Sequence, residues 1–302
     1  MNRLTTEQRR RNKSRDDEWQ LAENHRSQVT RRILALAGGG EGRLCILGAG
    51  NANDLDLRAL TAAFREVHLV DVDGEALQRG VARQLPEESG LADGNWQGGD
   101  LRRAAGGAKI RLHPAVDVTG IWDTLAKLET TPADAAPAEL LDRAANVGPL
   151  LLPGPFDVAV SAGLLSQLID GVVLSLPPTS ASFMQLLLSV RSGHLRLLAR
   201  LTAPGGHGLL ITDFVSAATA PELTSLSDDH VGELADRLAA TGNFFHGINP
   251  VFLPQLFEQD SMLRSLISRV NHRGHWIWNQ RSRRYAVLAI EFERRQSNSG
   301  TP

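Results

Sequence analysis

Apolar residues gather in short blocks along this chain, at 43–47, 67–70, 109–116, 156–161 and 208–212, and each block stops at a glycine, proline or acidic residue or a short step before one. Runs of that length and punctuation predict strands. Between them the spacing turns helical. Residues 54–64 place Leu55, Ala59, Leu60, Ala63 and Phe64 on one face, and 74–84 and 180–201 read the same way. Short helices are predicted at 121–127 and 138–145, across a connection holding Pro132 and Pro137, and further helical pieces at 228–240 and 250–270. Residues 85–99 read as loop. At the end, 276–279 and 285–292 flank the polar turn 280–284 and predict an antiparallel hairpin. Strands alternating with helices imply a mostly parallel sheet covered on both faces. With the hairpin it has seven strands in a doubly wound α/β order.

Ahead of the first strand, residues 5–37 read as one helix, capped by Thr5 and closed by Gly38-Gly39-Gly40. Its apolar contacts are Trp19, Leu21, Val29, Ile33, Leu34 and Leu36. Residues 1–40 are thus an N-terminal helical extension, either a solvated edge or a lid with Trp19 as a wall. The main domain is expected over 41–295, with insertions at about 120–155 and 219–273, and 296–302 as a disordered tail.

Composition narrows the function classes. The chain has 302 residues, 42% hydrophobic and 22% charged, as expected of a globular protein. No run of eighteen apolar residues occurs, so no membrane span is expected, and the first residues lack the apolar core of a secretory signal, so the expected location is cytoplasmic. Cys45 is the only cysteine, which excludes an internal disulfide and a cysteine-based zinc site. Inside an apolar strand it reads as a small buried hydrophobe. A net charge of −2 gives no overall field for nucleic acid. The nine histidines show no metal-binding spacing, so no metal is expected.

In a doubly wound sheet, ligands sit outside the carboxyl ends of the strands. Those ends carry the turn Gly48-Ala49-Gly50-Asn51-Ala52-Asn53, then Asp71, Asp117, Ser161 and Asp213. A glycine turn followed by an acid at the end of the second strand suits a dinucleotide or S-adenosylmethionine, and the 23 residues from Gly48 to Asp71 fit both. The charge on the turn separates them. A dinucleotide rests its pyrophosphate on the first helix N-terminus, where this chain has Asp54 and Asp56, with Asn53 in place of a third glycine. S-adenosylmethionine has no phosphate and carries a sulfonium and an ammonium, which carboxylates suit.

These residues resemble the class I S-adenosylmethionine-dependent methyltransferases, a Rossmann-like family. The resemblance spans about residues 43–292. It rests on ILGAGNA, HLVDVDGEAL, Asp117 after the third strand, GPFDVAVSAGLLSQL, PGGHGLLITDF and the closing hairpin. It implies that Gly48, Ala49 and Gly50 pass under the cofactor and that Asp71 holds the ribose hydroxyls. Val72 packs on the adenine, Asp117 meets its amino group with Val118 beside it, and Ser161 and Ala162 lie near the methionine part. The family's acidic residue two before the first glycine is Ile46 here, and its third glycine is Ala52; Asn53 or Asp54 is expected to supply the ammonium contact.

Methyl transfer can run on positioning alone. A base is needed only where the acceptor loses a proton, and Gln167, His194, Asp213 and His246 are candidates, with Ser166, Asp170 and Arg191 nearby. Trp122, Phe244, Phe245 and Phe252 in the insertions are candidates for an apolar substrate pocket. The expected function is methyl transfer from S-adenosylmethionine, giving S-adenosylhomocysteine, to a small molecule. Arg9–Arg11 and Arg281–Arg284 leave an RNA acceptor open, and a protein acceptor also stays open. The alternatives are an aminopropyltransferase, which needs a carboxylate cluster from residues such as Asp170, Asp213 and Glu222, an NAD-dependent oxidoreductase, and a catalytically silent nucleoside-binding module.

Overall fold

The computed structural model describes residues 2–16, 18–86, 101–103, 109–128, 137–281 and 283–297. Most of the predicted loop at 85–99, Pro132 and the tail beyond 297 lie outside them. Strand β1 (Arg43–Leu47) runs through the middle of the sheet, parallel to β2 (Glu66–Val70) on one side and β5 (Phe156–Ala162) on the other. Outside these lie β4 (Lys109–His113) and β6 (Thr202–Ser216), also parallel. Strands β7 (Ile267–Gln280) and β8 (Arg283–Arg294) form the antiparallel hairpin, with β8 against β6. The order is β3-β4-β2-β1-β5-β6-β8-β7. This is the Rossmann-like, doubly wound fold, with one strand more than predicted: β3 (Leu101–Arg103) adds antiparallel to β4 at the edge.

The centre is dry because β1 is apolar from Leu44 onward. Leu44, Cys45, Ile46 and Leu47 have no exposed surface, as a strand covered on both faces requires. On one face α2 (Glu23–Leu34), α3 (Leu57–Ala63) and α4 (Gly74–Gln84) bring Val29, Ile33, Leu60 and Leu77 against Leu44 and Ile46. On the other, α7 (Leu164–Ser175) and α8 (Phe183–Leu201) bring Leu165, Val172, Leu186 and Leu198 against Cys45 and Leu47. Each such side chain contributes about 1.5–3 kcal/mol. Burial pushes the Cys45 thiol far above its ordinary range, which keeps it an unreactive hydrophobe.

The element boundaries differ from the predicted ones where partners far along the chain intervene. The N-terminal helix is two helices, α1 (Arg3–Ser14) and α2, with the cap at Asn2 and not Thr5. No glycine or proline breaks it. The last carbonyls of α1 are instead taken by the glycine turn, Asn51 Nδ2 donating to the Asn12 carbonyl (3.2 Å) and Asn53 Nδ2 to that of Arg15 (2.7 Å), which satisfies groups a helix end otherwise leaves open. Helix α3 starts at Leu57, three residues later than predicted, because Asp56 caps it from the Ala59 N–H (3.0 Å). The segment read as helix over 250–270 gives α10 (Leu256–Gln259) and α11 (Ser261–Leu266), after which β7 begins, its backbone drawn into pairing with β8. Among the described residues no helix is long and apolar enough to cross a membrane.

Candidate functional site

After β1 the chain first builds outward through β2 to β4, then returns to place β5 on the other side of β1. The two carboxyl ends therefore part, and a crevice opens where the strand order reverses. Gly48 turns the chain there with φ +77°. A Cβ on it would stand 2.7 Å from that of Leu164, so only glycine fits. Ala52 holds a left-handed φ of +52°, uncommon for a residue with a side chain. The turn is clamped from behind: Arg26 Nη1 donates to the Asn53 carbonyl (3.1 Å), Arg83 Nη2 to that of Asn51 (2.6 Å) and Gln84 Nε2 to that of Ala52 (2.8 Å). Gly80 lets α4 come close, since a Cβ there would stand 2.6 Å from the Asn51 carbonyl oxygen.

One half of the crevice is apolar. Gly48, Val72, Val118, Trp122 and Leu164 line it, with Asp71 and Asp117 at its edges. The Trp122 indole Nε1 is buried with no hydrogen-bond partner. The other half is polar and holds Ala49, Gly50, Asn53, Asp54 and Ala162, and Asp71 faces both. Asp71 Oδ2 accepts the Gly50 N–H (2.9 Å) and Oδ1 the Asp73 N–H (2.9 Å). Burial, with Asp73 beside it, raises its carboxyl to about 6 against those backbone donors. Burial likewise raises Asp54 to about 6, although Arg15, Arg26 and Arg83 oppose it. His25 Nε2 stands 3.9 Å from Asp54 Oδ1, but His25 is held neutral by burial, its pKa lowered to about 3, so it adds no charge. Asn53 Oδ1 and Asp54 Oδ1 are both buried without a hydrogen-bond donor. Two adjacent unmet acceptors are expensive in a folded protein and fit a donor-bearing cation. Ile46, at the position where an acid was expected, lies in the core with no exposure.

Helix α1 closes the crevice from above, but Trp19 is not its wall. That ring is clamped between Arg26 and Arg83, 3.5 and 4.8 Å from their guanidinium carbons. The residues that reach in are Gln8, Asn12, Arg15 and Glu18, with Asn12 Nδ2 donating to Asp73 Oδ2 (3.0 Å). The pattern-based reading missed these four, because nothing in α1 or the turn after it marks which polar residues face a ligand. Asp117 carries a second task. Its Oδ1 accepts from the Thr119 hydroxyl (2.6 Å) and N–H, and its Oδ2 from the Trp122 N–H (2.9 Å), which sets the start of α5 (Trp122–Leu128).

Two candidates fall away. Ser161 is fully buried, and its Oγ pairs with His194 Nε2 at 2.8 Å. Successive strand residues point to opposite faces, so with Ala162 toward the crevice Ser161 points toward α8. His194 is buried with it, its pKa lowered to about 4 by burial, and neither touches the crevice. Arg191, one turn earlier, holds the Gly247 carbonyl (2.8 Å).

Beyond the crevice lies a cavity of about 620 Å³, joined to it at Gln167, Arg15, Glu18 and Trp278, which line both. Asp213 and His246 are on its wall, with Phe244 and Phe245. Phe252 is exposed elsewhere. The buried Asp213 accepts the Ser166 hydroxyl (2.5 Å), and burial raises its pKa. Of the acids an aminopropyltransferase needs, Asp170 and Asp213 both line this cavity, but Asp170 is paired with Arg11 (2.6 Å), and Glu222 lies off the cavity, paired with Arg237 (2.9 Å). The basic run Arg9–Arg11 is met by Glu7, Asp170, Asp73 and Glu75. Among the described residues no group of three or more His, Cys, Asp or Glu could hold a metal.

No protein-family model matches this chain, and no curated protein does. Solved structures resemble it across most of its length at low identity. A SAM-dependent methyltransferase from Methanosarcina mazei is 14% identical over 88% of this chain and 98% of its own, with a TM-score of 0.45. Magnesium protoporphyrin IX methyltransferase from Synechocystis, solved with bound SAH, is 10% identical over 98% and 96%, with a TM-score of 0.44. The YcgJ protein of Bacillus subtilis is 11% identical over 88% and 97%, with a TM-score of 0.40. Likeness this distant says nothing about chemistry, which rests on the crevice.

Proposed function

We propose that this protein is an S-adenosylmethionine-dependent methyltransferase acting on a small molecule held in the 620 Å³ cavity. The observation that carries the reading is the pair of buried, unmet acceptors Asn53 Oδ1 and Asp54 Oδ1 at the end of the glycine turn. They suit an ammonium and repel a phosphate, and Asp56 already occupies the N-terminus of α3. Asp71 keeps free lone pairs beside its two backbone donors and takes the ribose hydroxyls. Val72, Val118, Asp117 and Trp122 hold the adenine; Gly48, Ala49, Gly50 and Ala162 form the floor. Bound there, S-adenosylmethionine supplies a methyl group already activated for displacement. The chain's part is to orient and to exclude water, with Gln167 at the junction of crevice and cavity. Where the acceptor must lose a proton, Asp213 on the cavity wall is the group to take it, burial having raised its pKa above the ordinary carboxylate value and made it a stronger base.

Parallel calorimetric titrations with S-adenosylmethionine, S-adenosylhomocysteine and NAD test this. The first two bind and NAD does not; binding of NAD alone overturns the reading. Affinity for S-adenosylhomocysteine should also fall with pH. Both Asp54 and Asp71 titrate near 6 in the free protein, and the ligand's ammonium and hydroxyls need them ionised. Binding therefore releases protons and weakens as pH drops through 6, by about 10- to 100-fold between pH 7.5 and 5. An affinity flat across that range removes both carboxylates from the site.

Trp122→Phe keeps an aromatic ring but removes the buried Nε1–H together with the rest of the five-membered ring. S-adenosylhomocysteine should bind roughly five- to tenfold more weakly, the worth of one neutral hydrogen bond. The free variant should stay close to the parent in stability, because loss of the unpaired buried donor offsets the packing lost with the smaller ring. Calorimetry and thermal unfolding on one preparation check both.

A further inference from the structure

The large cavity is built unevenly. Its acids are already engaged: Asp213 takes the Ser166 hydroxyl, Glu18 takes the Arg281 N–H (3.4 Å), and Asp170 is in an ion pair with Arg11 (2.6 Å). Two of its cations, the half-buried Arg15 and the exposed Arg283, are in no close ion pair, although Arg15 acts at longer range on Asp54 and Asp213. Arg15 and Arg283 have no carboxylate within 4 Å among the described residues. The guanidinium carbon of Arg15 lies 5.4 Å from the centre of the Trp278 ring. Around them stands an aromatic wall: Trp278 and Tyr285 with ring centres 5.7 Å apart, and Phe245 edge-on to Tyr285 at 6.4 Å. Every one of these residues lines the cavity.

From this juxtaposition we infer that the methyl acceptor is a small planar aromatic acid, its ring against Trp278, Tyr285 and Phe245 and its anionic group between Arg15 and Arg283. An arginine fork matches a carboxylate, and aromatic faces reward a flat apolar body. The ring end opposite the acid then lies toward Ser166 and Asp213, where a hydroxyl or amine on it finds a proton acceptor. The inference rests on the cofactor assignment above, since it takes this cavity as the acceptor site.

The test uses the full chain saturated with S-adenosylhomocysteine and follows binding of benzoate, benzamide, benzylamine and cyclohexanecarboxylate by calorimetry and tryptophan fluorescence. Benzoate binds tightest. Benzamide, without the charge, and cyclohexanecarboxylate, without the flat ring, each bind about tenfold more weakly or worse, and benzylamine does not bind. Arg283→Met weakens benzoate by at least about tenfold. Arg283 lies off the cofactor crevice, so S-adenosylhomocysteine titrated into the same variant reports whether the fold and crevice are intact. Benzylamine or benzamide binding as well as benzoate overturns the inference, as does benzoate binding unchanged in Arg283→Met or absent from the loaded protein. Failure of S-adenosylhomocysteine itself to bind the parent protein is a separate result and strikes the cofactor reading instead.

Discussion

Asp71→Ala should lose S-adenosylhomocysteine binding by about 10² to 10⁴ in Kd, while the protein still folds. Two effects add. The ribose hydroxyls lose a charged acceptor, each such bond being worth roughly 1.5–3 kcal/mol. The Gly50 N–H also loses the partner that holds the glycine turn in place (2.9 Å). Folding suffers less, because the carboxylate removed is one that burial already penalises, with a pKa raised to about 6. Asp71→Asn separates the two effects. Asparagine keeps the shape and can still accept the Asp73 N–H, but it sets a donor against the Gly50 N–H and carries no charge. It should bind little better than alanine. Calorimetry with S-adenosylhomocysteine near pH 7.5 gives the affinities, and thermal unfolding shows that the fold persists. Unchanged affinity in Asp71→Ala would take the nucleoside out of this crevice.

The largest stability loss is expected far from the crevice, at Gly193→Ala. Gly193 lies in α8 where α6 (Ala138–Ala145) crosses it. A Cβ there would stand 1.9 Å from the Ala144 carbonyl oxygen and 3.0 Å from its carbon, both backbone atoms that cannot swing aside. Alanine would favour the helix by about 1 kcal/mol, but the helices would have to separate. That strains the bonds through which α8 satisfies the end of α6: Arg196 Nη1 to the Ala145 carbonyl (3.1 Å) and Arg200 Nη2 to the Val147 carbonyl (2.5 Å). We expect a loss of about 3 kcal/mol or more, a large part of the 5–15 kcal/mol typical of a folded domain. Gly148→Ala is the control. Nothing stands within 4 Å of its Cβ position and its φ is ordinary, so it should be neutral or slightly stabilising. Denaturant unfolding of the two variants side by side reads the difference; equal stability would mean that α6 does not pack on α8 as described.

The central sheet and the glycine turn were legible in local sequence because local chemistry dictates them. Leu44–Leu47 is an unbroken apolar run, and only a strand covered on both faces buries all of it. Gly48 and Asp71 follow at a spacing set by one strand–turn–helix–strand unit, and the structure brings them to one crevice. Strand ends were harder to read. Strand β7 begins at Ile267 because β8 is there to pair with it, although the segment before it has helical spacing.

What local pattern could not decide was which side of an element faces what. Ser161 and Ala162 are neighbours, yet the pleat sends Ser161 to His194 and Ala162 to the crevice. Trp122, read as a substrate-pocket residue, lines the crevice itself because Asp117 fixes the start of its helix. The split of the N-terminal helix depends on Asn51 and Asn53, some forty residues further along, capping α1. The same contact carries Asn12 and Arg15 over the crevice. By itself, then, the sequence determined the alternation of strands and helices, the glycine turn and the acid after the second strand, all set by periodicity and turn chemistry within a few residues. Only the tertiary structure decided the roof over the crevice, the inward turn of Ser161 and His194, and the wall of the large cavity. These depend on side chains from distant segments meeting where each satisfies the other's buried polar groups, and no local spacing records such meetings.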